Sequence, residues 1–117
     1  MMQGFPISAQ LPEDLGFGER FWYWRGASGH SYIHSIYQLE SCPPLPGAVF
    51  VLVRASDGKR QAVAAGRFPS VVENLPGNVR PVIPDCRRGD EIHVHLLARD
   101  HDAAGAVLRD LDDALRG

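Results

Sequence analysis

The sequence predicts a single α+β domain, in which a small antiparallel sheet carries a C-terminal amphipathic helix packed on it. Two segments, 21–37 and 48–65, have the composition and turn signals of β-hairpins. A third segment, 91–98, alternates at the period of a later strand, and residues 102–116 repeat apolar side chains at helical spacing. The length of 117 residues is that of one ordinary domain.

Residues 1–20 are predicted to form an N-terminal arm, which leaves 21–117 as the single folded domain. The arm contains prolines and glycines and shows no sustained period. We expect it to be ordered only where its apolar side chains find a surface; these are Phe5, Ile7, Leu11, Leu15 and Phe17.

The first predicted hairpin joins two segments rich in aromatic and β-branched residues through a Gly-Ala-Ser-Gly turn at 26–29. Successive side chains of a strand point to opposite faces of the sheet. Trp22 and Trp24 therefore share one face, and Phe21 and Tyr23 share the other. Both faces of this strand are apolar.

The second hairpin is predicted from a continuous apolar run at 48–54, a turn at 56–59 and a strand at 60–65. Before it, the segment 42–47 reads Cys-Pro-Pro-Leu-Pro-Gly. Prolines remove amide donors and fix φ, so this segment is predicted to be a stiff connector.

After the second hairpin we expect a short helix at 71–75, ended by the following proline, and an arginine-containing loop at 78–89. Asp100 and Asp102 suit the start of the C-terminal helix, because carboxylates are stabilised at a helix N-terminus. Arg116 suits its end.

Composition excludes some classes of protein. Twelve Lys and Arg against fourteen Asp and Glu give a net charge of −2, which argues against a strongly basic nucleic-acid protein but leaves a local basic patch open. The longest apolar run, 48–53, is too short to cross a bilayer, and the N-terminus lacks a secretory signal, so we expect a cytoplasmic protein. Cys42 and Cys86 are predicted to be reduced thiols.

Two motifs carry a family resemblance. Residues 46–50 run from a Pro-Gly step into a strand, and residues 64–75 end a strand on glycine, followed by arginine and a predicted helix. With the later strand and helix, the order of elements over 46–115 resembles the GIY-YIG nuclease domain. The resemblance implies a small antiparallel sheet flanked by helices.

The same resemblance implies catalysis by two tyrosines, an arginine and a metal-binding glutamate. None of these residue types occupies the matching positions, which hold Val49 or Phe50, Ala64, Asn74 and Val107. Alkyl and amide groups cannot replace a hydroxyl, a guanidinium and a carboxylate at a phosphodiester. The resemblance therefore implies a scaffold without nuclease activity.

The N-terminal hairpin is the predicted working surface. Its glycine-rich turn exposes amides that can cradle an anion, and its tryptophans can stack on bases. The alternatives are an ordinary hairpin turn and tryptophans that pack in the core or at a protein interface. The candidate binding residues are Trp22, Trp24, Arg25, Ser28, His30, Tyr32 and His34.

A secondary basic patch is predicted in the loop that holds Arg80, Arg87 and Arg88, where clustered cations can contact phosphate unless the loop is simply solvated. No metal or cofactor is predicted. The alternative is a zinc or copper site at His93 and His95, which share a strand face and which otherwise are solvated or hydrogen-bonded side chains.

These observations predict a non-catalytic binding or interaction module on a GIY-YIG-like scaffold, with a protein or nucleic acid as partner, no membrane contact and a homodimer through the aromatic hairpin as a further option. The alternative is a hydrolase acting on a phosphodiester or another anion, with His30 or His34 as base and Arg25 as the electrophilic group. An enzyme would gather Arg25, His34 and His93 into one concave pocket, whereas an interaction module would present a tryptophan on a flat surface.

Overall fold

A computed structural model describes residues 2–6, 20–43, 45–69 and 86–117. They form one curled, six-stranded antiparallel sheet with a single helix packed on its concave face, which confirms the predicted α+β class. In chain order the elements are β1 (Gly4–Pro6), β2 (Phe21–Arg25), β3 (Ser31–Gln38), a 3-10 turn (Leu39–Ser41), β4 (Val49–Ser56), β5 (Lys59–Arg67), β6 (Glu91–His95) and α1 (His101–Arg116).

The strand order is β1-β2-β3-β6-β4-β5. Both predicted hairpins are present, as the β2–β3 and β4–β5 pairs. The later strand, β6, lies between them and pairs with β3 on one side and β4 on the other. All five of its residues are buried, as a central strand covered on both faces requires.

The turn of the second hairpin is short because its backbone adopts left-handed conformations. Asp57 and Gly58 have φ of 53° and 75°, the signature of the two-residue turns that match the twist of paired strands. The β4–β5 register shifts between Leu52 and Val53, where β5 carries one extra residue, Val63.

Part of the N-terminal segment adds an edge strand that the sequence did not predict. Gly4–Pro6 pairs with β2, and the Phe5 ring stacks on Tyr23 at 5.2 Å between centroids. Glycine is required at position 4, since a Cβ there would clash with the rings of Trp22 and Trp24. The other apolar residues of the predicted arm lie outside the described residues.

Two hydrophobic clusters sit on opposite faces of the sheet. On the concave face, Val107 and Leu111 of α1 pack with Val49, Val51 and Val53 of β4. On the convex face the buried side chains are Leu39, Cys42, Phe50, Leu52, Phe68, Ile92 and Val94. The apolar run of β4 is continuous because both of its faces are covered.

Both ends of α1 carry the residues that the sequence predicts there. Asp100 is the N-cap, and its Oδ1 accepts a hydrogen bond from the Ala103 amide at 2.8 Å. Arg116 lies in the last turn. The predicted helix at 71–75 and most of the loop at 78–89 fall outside the described residues. Within the part of the chain that the structure describes, no helix is long and apolar enough to span a membrane.

Candidate functional site

The tryptophans of the N-terminal hairpin face inward. Trp22 and Trp24 share the concave face, as their alternation predicts, and Trp24 packs in the core with only 1% of its surface exposed. Trp22 is half-buried beside it, with the Arg60 guanidinium 4.8 Å from its ring centroid. Trp24 therefore has no exposed ring face to offer a nucleic-acid base.

Beneath the helix, hydrogen bonds link Trp24 to a buried charged pair. The indole N–H of Trp24 donates to His93 Nδ1 at 2.9 Å. The ring proton of neutral His93 is therefore on Nε2, which donates to Glu91 Oε1 at 3.0 Å. Arg60 completes the chain, because its Nε and a terminal nitrogen bind the two Glu91 oxygens at 2.7 and 3.2 Å.

Both ring nitrogens of His93 take part in these hydrogen bonds, so neither is left to bind a metal ion. Burial by itself raises the pKa of Glu91, but hydrogen bonds and charge from His93 and Arg60 outweigh it and lower the pKa to about 2. Burial lowers the pKa of His93, against the opposing effect of Glu91. A Glu–His pair of this kind resembles a catalytic relay, but here it ends on an indole packed in the core.

The glycine-rich turn does cradle an anion, and that anion is a side chain of the same molecule. Ser28 donates its amide and hydroxyl to the Asp110 carboxylate at 2.8 and 2.6 Å, and the Tyr32 hydroxyl donates at 2.8 Å. A Cβ at Gly26 would clash with this carboxylate, so glycine is needed there. We call the contact of Ser28 and Tyr32 with Asp110 the turn–helix clasp.

The clasp shifts the pKa of both of its titratable groups. Burial raises the pKa of Tyr32 to about 12, assisted by the hydrogen bond and negative charge of Asp110. Burial also acts to raise the pKa of Asp110, but the hydrogen bonds from Ser28 and Tyr32 outweigh it and lower that pKa.

Replacing Asp110 with alanine is expected to lower the free energy of unfolding by about 1–2 kcal/mol, because the three donors lose a charged acceptor at a partly exposed site. Since the folded pKa is lowered, this stabilisation is present above the ordinary carboxyl pKa and is lost as the pH falls through the folded value. Urea denaturation at neutral and acid pH measures both effects. Asp113→Ala, at an exposed position on the same helix, is the control; equal losses in the two variants would contradict the clasp.

The residues of the hydrolase alternative do not converge. Arg25 is two residues after Tyr23 on β2, so it lies on the same, convex face. Its guanidinium is 5.6 Å from the Phe5 ring centroid. His34 lies on the concave face with 1% exposure, and its Nδ1–H donates to the Tyr32 carbonyl at 2.9 Å. Burial lowers the pKa of His34 to about 3. His30 is exposed at the turn, its ring 4.6 Å from that of Tyr32.

The convex side of the hairpin carries a mainly apolar groove. A groove of about 200 Å³ is lined there by Phe21, Ile33, Val94, Leu96 and Leu97. Leu97 is 68% exposed. Self-association through the aromatic hairpin stays a prediction, and this side, not that of the tryptophans, offers the apolar surface for it.

The basic patch is described only in part. Arg80 lies outside the described residues, whereas Arg87 and Arg88 are exposed at the turn before β6. That turn is held by Asp90, whose carboxylate accepts from the Arg87 amide at 2.8 Å and from two nitrogens of Arg54 at 3.2 and 3.1 Å. Contact of this turn with nucleic-acid phosphate stays a prediction.

Cys42 and Cys86 are thiols and are not joined in a disulfide, as predicted. Burial raises the pKa of Cys42 to about 11, so it is protonated at neutral pH. Among the described residues, no group of three or more His, Cys, Asp or Glu side chains is placed to hold a metal ion. His93 and His95 do not act as a metal-binding pair. Both ring nitrogens of His93 are hydrogen-bonded to Trp24 and Glu91, and Nδ1 of His95 is hydrogen-bonded to the Ile33 carbonyl.

A concave pocket lies where the sequence did not predict one. A cavity of about 350 Å³ opens between the start of β4, the ends of β5 and β6, and the N-terminus of α1. Arg67 and His95 line it, and both are in register with Val49, on either side of that residue. The three side chains form one row on the concave face, so Arg67 and His95 lie two strand spacings apart, roughly 10 Å between Cα atoms.

Arg67 is held in place from two sides. Its Nε donates to the Gly47 carbonyl at 3.0 Å, and a terminal nitrogen donates to His101 Nδ1 at 3.1 Å. Gly47 has φ of 74°, a backbone conformation that favours glycine and that turns the chain at the cavity wall. Arg67 is half-buried, and no carboxylate among the described residues lies within ion-pairing distance of it.

Sequence reasoning missed this cavity because its parts come from distant segments. The available signal was the Pro46–Gly47 step, which the GIY-YIG resemblance assigned to a different role. No protein-family model matches the chain, and no curated protein or solved structure matches it either. The resemblance therefore stays a prediction.

Proposed function

We propose that the protein is a non-catalytic binding module whose ligand is a small anion, a carboxylate or a phosphate, held by Arg67 in the cavity at the N-terminus of α1. The observation that carries this proposal is the half-buried guanidinium of Arg67, which faces the cavity without a carboxylate partner among the described residues. The GIY-YIG-like scaffold remains part of the proposal.

Electrostatics favours an anion at this position. A partly desolvated guanidinium is unfavourable unless it is paired, and it binds carboxylates and phosphates through several N–H donors at once. Arg67 uses one N–H for Gly47 and one for His101, which leaves further donors for a ligand. The N-terminus of α1 adds the positive end of a helix dipole to the same cavity.

The size and chemistry of the wall favour binding over turnover. A volume of about 350 Å³ lies at the small end of ligand pockets, and the wall between the polar groups is apolar, with Val49, Leu96 and Ala98. The described residues that line the cavity include no serine, threonine, cysteine, lysine or tyrosine that could act as a nucleophile. The Asp100 carboxylate serves as the helix cap.

The positions that the resemblance aligns with nuclease catalysis support the same conclusion. Val49 is fully buried in the core under α1, and Phe50 is 6% exposed in the cluster on the other face. Val107 is 8% exposed on the inner side of the helix. These side chains act as packing groups. Asn74 lies outside the described residues.

The binding proposal predicts that Arg67→Met weakens the affinity for small anions at least tenfold, because it removes the charge and the donors while keeping most of the side-chain volume. Wild-type protein titrated with inorganic phosphate and with propionate is expected to show saturable shifts of the Gly47 and His101 amide signals in NMR spectra. Higher ionic strength is expected to weaken the binding, since the site is open to solvent.

Arg109→Met is the matched control. Arg109 is exposed on α1, and its loss changes the net charge of the protein by the same amount. The control is expected to bind as the wild type does. Equal weakening in both variants would indicate a non-specific charge effect, and an absence of saturable shifts in the wild type would overturn the proposal.

A further inference from the structure

His95 leaves a hydrogen-bond acceptor unused at the cavity. Its Nδ1 lies 2.7 Å from the Ile33 carbonyl oxygen, and a carbonyl only accepts, so Nδ1 carries the ring proton. In the neutral ring Nε2 is then an acceptor. Within the described ranges, Nε2 has no hydrogen-bond partner, although the side chain is only 7% exposed and lines the cavity.

This acceptor is not sealed in the core, so a water molecule or a ligand group in the cavity can donate to it. The ring is held by the Ile33 carbonyl and by the rings of Tyr32 and His34, whose centroids lie 5.5 and 5.4 Å away. Arg67 can only donate, and it lies across Val49 in the same row. The cavity therefore presents a donor site for an anion and, two strands away, an acceptor site for an N–H or O–H.

We infer that the ligand is a small hydroxy acid or a phosphate ester with a free hydroxyl, whose anionic group binds Arg67 and whose hydroxyl donates to His95 Nε2. The inference rests on the proposed function and names its ligand class. A hydroxyl can donate to His95 Nε2 and leaves the charge of the ligand to the anionic group that Arg67 binds.

Three small probes of nearly equal size separate the possibilities. Propionate carries only the anion, lactate adds a hydroxyl, and alanine adds an ammonium group. Titrations of the wild-type protein at neutral pH and equal ionic strength, followed by the Gly47 and His101 amide signals, are expected to show lactate binding about three- to tenfold more tightly than propionate. Alanine is expected to bind no better than propionate.

The variant His95→Phe removes the acceptor and keeps a ring of similar size. We expect it to reduce the affinity for lactate to that for propionate. If this variant does not fold, the wild-type comparison of lactate with propionate decides alone. Equal affinities for these two probes, or tightest binding of alanine, would overturn the inference while the anion site stands. If none of the three probes and no phosphate binds, the proposed function itself fails.

Discussion

Replacing Glu91 with leucine is expected to lower the free energy of unfolding by about 3–5 kcal/mol, because it leaves a largely buried guanidinium and imidazole without their shared acceptor. Glu91 is 5% exposed, and it accepts hydrogen bonds from both Arg60 and His93. Urea denaturation at neutral pH measures the loss. Glu40→Leu, at an exposed position, is the control and is expected to change stability little.

A double variant tests whether the loss of stability in Glu91→Leu arises from the unpaired charge of Arg60. Arg60→Met together with Glu91→Leu removes both charges and fills the space with apolar groups, so we expect it to be more stable than Glu91→Leu alone. If the double variant is the less stable of the two, the stabilisation comes from packing and the electrostatic explanation is wrong.

The ion pair of Glu91 with Arg60 also predicts how the stability of the fold depends on acid pH. The folded pKa of Glu91 is about 2, below its ordinary value of 4.5, so its contribution is complete above the ordinary value and is lost as the pH falls towards about 2. In this pH range the stability of Glu91→Leu is expected to fall less steeply than that of the wild type. Parallel pH profiles would contradict a lowered pKa.

Replacing Trp24 with alanine is expected to lower the free energy of unfolding by about 3–5 kcal/mol, since a large buried ring is removed from the core under α1. Trp24→Phe separates packing from hydrogen bonding. It keeps a ring but leaves Nδ1 of His93 without its donor, for an expected loss of about 1–3 kcal/mol.

Trp22→Phe is the matched control for this second effect. The Trp22 indole N–H is buried and has no hydrogen-bond partner among the described residues, so its removal breaks no such bond. We therefore expect Trp22→Phe to be less destabilising than Trp24→Phe in the same denaturation experiment. The reverse order would show that the bond from Trp24 to His93 contributes little to stability.

Local sequence patterns predicted strands β2 to β6 and the helix, but neither β1 nor which face of each strand is covered. Alternation placed Trp22 and Trp24 on one face of β2, and that grouping is correct. Which face lies under α1 is decided by the curl of the sheet and by the position of β6 in its centre, and both depend on pairing between distant segments. The hairpin was therefore identified correctly, while the side that faces solvent was not.

The same dependence on distant segments explains which candidate sites could be predicted from the sequence and which could not. The turn that contains Ser28 was identified from its composition as an anion cradle, but its occupant, Asp110, is 82 residues away. The cavity around Arg67 was not identified, because Gly47 and His101 are distant from it in the sequence and none of the three residue types is unusual alone. A site formed by the residues of one turn can be predicted from the sequence, whereas a site formed by residues of several strands cannot.

The central place of β6 has a consequence for how the molecule folds. The β1-β2-β3 and β4-β5 parts of the sheet are joined by hydrogen bonds only through residues 91–95 of the described chain. Each hairpin can form early from neighbouring residues, but the two become one unit only when this distant strand closes between them. Closure over such separations is entropically slow, so the barrier to folding should lie at the insertion of β6, after both hairpins have formed.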